Sequence, residues 1–269
     1  KEIYEHLYPG KKYSDVIIRN HLSNLVKLGM DFLLYESFRD SKLDHLRYLL
    51  TSLNKKGLSK FFKKHSSEPV QSENGFLDYN FFLNNHYIES ILFNFKYLNK
   101  RFNNKQKTIE SIEHLNNSVE SLVYFFILEL TSKYEVAITY DRLLGLGKTN
   151  AALQSFFESN GIESLRTLIP FKSKYYFVVE LYRSLLKMTS DFGNTKHYYS
   201  ARDILFDNIN LFTKGEKHFL FLSFISYLVR QISAGIKSKI FGKELFEIYK
   251  ILLDKEYYLH SNANVLSQL

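Results

Sequence analysis

The string Gly145-Leu146-Gly147-Lys148-Thr149 carries the Gly-Lys-Thr ending of a phosphate-binding loop. Such a loop wraps phosphates in backbone amides and needs a further glycine five positions before the glycine of Gly-Lys-Thr. That position is Arg142, and no hydrophobic strand followed by a magnesium-binding aspartate appears, although Val136 to Tyr140 could form the preceding strand. The string therefore predicts a turn between two helices, capped by Thr149 or Asn150.

Histidine, cysteine and serine patterns give no sign of catalysis. The nine histidines are spread singly, with no pair at four-residue spacing and no His-Glu-x-x-His motif. Zero cysteines exclude disulfides, thiolate zinc sites, iron–sulfur clusters and a cysteine nucleophile. No Gly-x-Ser-x-Gly elbow is present. We expect no enzymatic activity, no catalytic or metal-binding residues, no cofactor and no small-molecule substrate.

Two clusters of basic residues are candidate nucleic-acid contacts, because phosphates attract cations and bases stack on free aromatic rings. At helical spacing the aromatic residues also fit core positions surrounded by solvated lysines. The first cluster comprises Lys55, Lys56, Lys60, Lys63 and Lys64 around Phe61 and Phe62, and the second comprises Lys96, Lys100, Arg101, Lys105 and Lys107 around Tyr97 and Phe102.

Four tyrosines lie near predicted helix ends, where half-exposed rings can anchor a protein partner. They are Tyr198, Tyr199, Tyr257 and Tyr258. The alternative for each is packing between helices.

Apolar residues recur at steps of three and four along almost the whole chain, which is the spacing of an α-helix. From Ser14 to Asp40 polar residues fill the positions between these apolar ones, which predicts an amphipathic helix capped by Ser14 or Asp15. The next helix is predicted to be capped by Asp40 or Ser41. No Asn-Gly or Asp-Gly joins two alternating runs, so no hairpin is expected and the predicted fold class is all-α. The other predicted helices span residues 43–53, 58–64, 79–102, 109–144, 150–159, 162–168, 174–189, 200–212, 216–233 and 243–254.

The stretch from His65 to Gly75, reading HSSEPVQSENG, is the one place where polar residues, Pro and Gly cluster without apolar periodicity. It predicts a linker over residues 65–75, between an N-terminal helical region at 1–64 and a helical-repeat-like region at 76–269. Asp78 is predicted to cap the first helix after the linker. Asn160-Gly161 is predicted to form the turn at a helix end.

The last four predicted helices form two pairs of similar length, 174–212 and 216–254. Arrays of antiparallel helix pairs with a comparable period bury one face of each pair by stacking it on the next. The sequence thus favours a helical-repeat, solenoid-like array over an irregular bundle, although the Trp of the tetratricopeptide signature is missing.

Two segments carry a resemblance. HLYPGKKYSDVIIRNHLSNLVKLGMDFLLYESF, from His6 to Phe38, and YLVRQISAGIKSKIFGKELFEIYKILLDKEYYL, from Tyr227 to Leu259, resemble parts of long, uncharacterised, all-helical bacterial proteins. The closing segment is also similar to the second helix of tetratricopeptide or pentatricopeptide units. The resemblance implies an all-helical fold and no transferable activity.

The chain has 269 residues, 45% of them hydrophobic, and 36 Lys plus Arg against 28 Asp plus Glu, a net charge of +8. This balance permits contact with nucleic acid or an anionic membrane surface. No apolar run reaches the ~20 residues of a membrane-spanning helix. We expect a cytoplasmic location, and the start at Lys1 leaves a removed signal peptide or a preceding domain as the alternative. The start at Lys1 rather than Met and the polar ending from Ser261 to Gln268 fit a segment of a larger assembly subunit.

Together these patterns favour a non-enzymatic helical scaffold that binds another protein or peptide. The alternative is a helical protein that binds nucleic acid through its lysine clusters.

Overall fold

The protein is all-α. The computed structural model describes residues 2–10, 12–67, 76–98, 105–145, 151–236 and 238–257. Their secondary structure is helical apart from one isolated parallel bridge between Leu77 and Phe212. A 3-10 helix spans Ile209–Leu211. The α-helices are α1 (Glu2–Leu7), α2 (Asp15–Asp40), α3 (Lys42–Lys55), α4 (Ser59–His65), α5 (Tyr79–Leu98), α6 (Lys105–Leu144), α7 (Ala151–Glu158), α8 (Gly161–Arg166), α9 (Tyr176–Ser190), α10 (Lys196–Asp207), α11 (Lys214–Ser233) and α12 (Ser238–Asp254).

Capping side chains set several of the helix starts. The Ser41 hydroxyl accepts a hydrogen bond from the Asp44 amide, and the Asp78 carboxylate accepts one from the Phe81 amide at 2.7 Å, as predicted. The Ser14 side chain makes no such bond. The first helix that the sequence predicts begins at Ser14, so α1 is an addition to the predicted helices.

The turn predicted at Asn160-Gly161 is found between α7 and α8. Asn160 adopts the left-handed backbone conformation, with φ 58°. A Cβ atom on Gly161 would lie only 2.4 Å from the ring of Phe156. Glycine is therefore required there by the close approach of that ring.

Helices α5 and α6 pack antiparallel. Aromatic and polar contacts follow one another along the pair. The rings of Phe82 and Tyr124 stack with centroids 4.8 Å apart. Asn85 donates a hydrogen bond to the Ser121 hydroxyl at 2.6 Å, and the Lys96 ammonium lies 3.3 Å from the Glu110 carboxylate. Because hydrogen bonds are directional, these pairs fix the register of the two helices more narrowly than apolar contacts alone would.

The four C-terminal helices form two pairs, α9 with α10 and α11 with α12. Tyr198 of α10 is fully buried between them. Its ring lies 5.4 Å from that of Tyr227 in a stacked arrangement, and 5.5 and 6.0 Å from those of Phe224 and Phe241 in edge-on arrangements. Such geometries are the favoured ones for aromatic pairs, so this cluster holds the two helix pairs together.

One contiguous core extends from Leu43 in α3 to Leu252 in α12. Helix α3 packs on α5, and Phe62 of α4 stacks on Phe95 of α5 with ring centroids 3.8 Å apart. The helices before the predicted linker therefore pack directly on those after it. Residues 68–75 of that linker lie outside the described residues.

We expect Phe62→Ala to destabilise the fold by about 3 kcal/mol, because it leaves a cavity where a buried ring stacks on Phe95. The measurement is urea denaturation followed by circular dichroism. Phe61→Ala is the matched control, since the neighbouring ring is 58% exposed, and its effect should stay within about 0.5 kcal/mol. Equal effects of the two substitutions would contradict the docking of α4 on α5.

Candidate functional site

Helix α2 is held at its two ends. Near its start, His21 hydrogen-bonds to the Tyr8 hydroxyl at 2.5 Å, and Tyr8 in turn packs on the buried ring of Tyr4. At its far end, the ring of Phe38 lies 5.6 Å from that of Tyr48 in α3. Between these anchors the helix makes little contact with the body of the protein.

Residues 21–35 of α2 are all exposed. The helix itself is as predicted, but the buried face that an amphipathic helix would have is not found in this stretch. Asn20, Asn24, Lys27 and Asp31 recur at steps of three and four and line one narrow side. Apart from His21 and Ser23, the rest of residues 21–35 are apolar or glycine. Ten large apolar side chains of α2 are between 56% and 69% exposed: Val16, Leu22, Leu25, Val26, Leu28, Met30, Phe32, Leu33, Leu34 and Tyr35.

The first lysine cluster is exposed. Lys60, Lys63 and Lys64 lie on one face of α4, opposite the buried Phe62, while Lys55 and Lys56 lie at the end of α3. None of the five has a salt-bridge partner within the described parts of the chain. Phe61 stands exposed among them, so the cluster combines free cations with an accessible ring.

The second cluster is only partly described. Lys96 is half-buried and paired with Glu110, so its charge is already matched by a carboxylate. Lys105 and Lys107 belong to the first turn of α6, and Lys100 and Arg101 lie outside the described residues. Lys96 is thus the one member of this cluster whose side chain is described, and it faces a carboxylate of the chain itself.

The four candidate tyrosines have different environments. Tyr198 is fully buried, so the half-exposed ring expected for it is not found: its position on α10 faces the neighbouring helix pair. Tyr199 and Tyr257 are partly exposed, and Tyr258 lies outside the described residues. Tyr199 carries the Arg202 guanidinium 5.0 Å from its ring centroid, and Tyr257 stacks on Phe221. Both rings therefore already serve packing within the chain.

The most perturbed acid is Glu216, in the first turn of α11. Its carboxylate accepts a hydrogen bond from the Tyr182 hydroxyl, and its amide donates to the Thr213 hydroxyl at 3.1 Å. Burial raises the pKa of Glu216 to about 8, and the nearby carboxylates of Asp78 and Glu129 add to the rise. Sequence reasoning missed this residue, because nothing in the local pattern shows that Asp78 before α5 and Glu129 of α6 lie near Glu216 of α11.

A carboxyl group that holds its proton near neutral pH is a feature of many active sites, but a substrate also needs space. One cavity among the described residues has polar side chains in its lining, among them Glu135, Thr189, Ser223 and Arg230. Its volume is about 10 Å³, which is room for one water molecule. Glu216 does not line it.

Two further observations bear on the chemistry. Across the described ranges, no three His, Asp or Glu side chains come together to hold a metal ion. The strand that a phosphate loop would need at Val136 to Tyr140 is instead part of α6, while residues 146–150 of that string lie outside the described residues.

Comparison with protein-family models, curated proteins and solved structures found no match for this chain. The resemblance to uncharacterised bacterial proteins and to tetratricopeptide units therefore stays a prediction. Within the helices that the structure describes, none is both long and apolar enough to cross a membrane.

The surface that stands out is thus the exposed apolar part of α2, for which the sequence predicts an amphipathic helix. The signal that could have found it was the spread of apolar residues around the whole helix, since a surface helix of a globular protein confines them to one stripe.

We expect the stability of the protein to fall as pH rises from about 5 to about 8.5, in part because of Glu216. The pKa of Glu216 in the folded protein lies above the ordinary value of 4.5. Its contribution to the free energy of unfolding is therefore complete below pH 4.5 and is lost as the pH rises through about 8. Glu216→Gln keeps an acceptor for Tyr182 and removes the titration. As the pH rises between those two values, the free energy of unfolding of the variant should therefore increase relative to that of the wild type by on the order of 3 kcal/mol.

The measurement is urea denaturation at both pH values. Glu247→Gln, on the exposed face of α12, is the control and should leave the wild-type pH dependence unchanged. A wild-type slope that survives Glu216→Gln would contradict the assignment.

Proposed function

We propose that this chain is a non-enzymatic helical scaffold that associates with another protein through the exposed apolar surface of α2. The observation that carries the proposal is that residues 21–35 form a largely apolar helix that no other element among the described residues covers. A helix that is apolar on nearly all sides is stable in water only when something covers it.

The size of the surface supports this function. Ten side chains that each expose about 100 Å² present roughly 1,000 Å² of apolar area. The largest apolar patch of an ordinary monomer is about 300–600 Å², and larger ones mark contacts with proteins or membranes. A stable protein interface buries about 800 Å² on each partner, which α2 alone can supply.

The scaffold part of the proposal rests on the stacked helix pairs. The pairs α9–α10 and α11–α12 follow one another along the chain and meet at the aromatic cluster around Tyr198. This is the way in which helical arrays bury successive faces. We propose that they form a repeat-like body from which α2 is presented.

To test the proposal, a photo-reactive phenylalanine analogue is placed at Leu28 of α2 in one variant and at Phe246 of α12 in another. Both side chains are at least 65% exposed, so both can react with a bound protein. We expect protein adducts in cells from position 28 and not from position 246. The adducts are detected by gel mobility and identified by mass spectrometry.

Replacing Leu22, Leu25 and Phe32 by Gln should abolish the adducts at position 28 while leaving the helical content and the melting temperature within a few degrees of wild type. The matched control replaces the exposed Phe246, Tyr249 and Leu253 of α12 by Gln and should leave the adducts in place. Equal labelling at both positions, or adducts that persist in the α2 variant, would overturn the assignment.

A second candidate function is nucleic-acid binding through the first lysine cluster. The observation that favours it is the exposed Phe61 among five lysines that have no salt-bridge partner within the described residues. Cations on one face of α4 can follow a phosphate backbone while the ring stacks on a base.

This candidate predicts binding of labelled DNA or RNA that weakens steeply as salt rises from about 50 to about 150 mM. Replacing Lys60, Lys63 and Lys64 by Gln should lower the slope of log affinity against log salt by about 2 to 3. Fluorescence anisotropy measures both.

The control replaces the exposed Lys172, Lys196 and Lys243 by Gln, which changes the net charge equally. The same loss in both variants would show that only the overall charge matters, and an absence of binding at low salt would exclude the function.

A further inference from the structure

The apolar side chains of α2 include a regular seam. Ile18, Leu22, Leu25, Gly29, Phe32 and Glu36 follow one another at alternating steps of four and three residues. This is the spacing that keeps one line of side chains facing a partner helix along a coiled coil. Four of the six positions are large and apolar, and Leu22, Leu25 and Phe32 are more than half exposed.

We propose that a second copy of this chain covers α2, with the two α2 helices packed antiparallel along this seam. The inference rests on the proposed function and names the partner. In the register that places Leu22 opposite Phe32 of the second copy, Leu25 lies opposite Gly29 and Ile18 lies opposite Glu36. Each contact occurs twice, because the pair is symmetric.

The sizes of the side chains favour this arrangement over a parallel one. An antiparallel pair sets the small Gly29 against the large Leu25, so the seam has no gap. A parallel pair in register would set Gly29 against Gly29 and Glu36 against Glu36, which leaves a void and brings like charges together.

Charge favours the same register. Arg19 adjoins Ile18 and therefore lies beside Glu36 of the second copy, once at each end of the seam. Within the chain Arg19 pairs with Asp15 at 2.7 Å on an exposed surface, a contact weak enough to share with a second carboxylate. The segment from Asp15 to Asp40 contains three basic and four acidic residues, a net charge of −1 in a chain of net charge +8. A nucleic acid would find no attraction there.

Gly29 adds an independent indication. Glycine inside a helix is destabilising relative to alanine. A Cβ atom at Gly29 would meet nothing within 4 Å, so no contact within the described part of the chain requires glycine at this position. Leu25 of a second copy would occupy that space.

The experiment uses the full chain, with light scattering during size exclusion and sedimentation over a range of concentrations. We expect a species of twice 31.8 kDa that dissociates on dilution. Leu25→Glu should weaken the dimer at least ~100-fold, whereas Phe246→Glu on the exposed face of α12 should not change it. Unchanged circular dichroism shows that each variant is folded.

Charge reversal tests the register. Arg19→Glu and Glu36→Arg should each weaken the dimer about tenfold, and the double variant should restore it. A double variant no tighter than the single ones would overturn the proposed register.

Disulfide trapping tests whether the two α2 helices run antiparallel. Because the chain has no cysteine, no native thiol interferes. A mixture of Leu22→Cys and Phe32→Cys chains should form a mixed disulfide dimer. Leu22→Cys alone should not, since its two copies lie ten residues apart along the pair, about 15 Å, which is beyond disulfide reach. A disulfide dimer of Leu22→Cys alone would show a parallel pair and overturn the inference.

A chain that stays monomeric at about 100 µM, far above the dissociation constant of a standard interface, also overturns the inference. In that case the photo-cross-linking experiment separates the two proposals. Adducts with a different protein at position 28 would leave the proposed function intact, and their absence would remove both.

Discussion

The fold depends on burying aromatic rings. The chain has 24 Phe and 20 Tyr but no Cys, no Trp and two Met, so neither disulfides nor flexible methionines are available to adjust the core. Rings are large and rigid, and they pack well only in a few mutual geometries. The stacking of Phe82 on Tyr124, of Phe62 on Phe95 and of Tyr198 on Tyr227 joins α5 to α6, α4 to α5 and α10 to α11, respectively.

Helix α2 is the exception, because most of its large apolar side chains are exposed. Ten of its large apolar side chains are more than half exposed, and among the described residues its contacts lie at its two ends. The free energy gained by covering apolar area is available to whichever surface arrives there. The proposed partner would bury apolar area that the described part of the chain leaves exposed.

Much of the secondary structure followed from local patterns. The caps at Ser41 and Asp78 depend on one side chain and the next three residues, so they could be predicted directly. The burial of Tyr198 and the shifted pKa of Glu216 could not, because both depend on residues brought together from several helices. The exposure of α2 could not be predicted for a related reason: periodicity predicts a helix, but burial depends on whether another element packs on it. The exposure of the lysines on α4 could be predicted from their charge. The burial of Phe62 and the exposure of Phe61 could not, because they depend on which side of α4 packs on α5.

The bridge between Leu77 and Phe212 has a consequence for how the chain acquires its fold. The Leu77 amide donates a hydrogen bond to the carbonyl of Leu211, a residue synthesised much later. Helices α3 to α6 contact one another over short stretches of sequence and can pair as soon as they are made, since closing a short loop loses little entropy. Leu77 must wait for the turn before α11. The start of α5 is therefore completed only after α10 has been made, although α5 itself is made early.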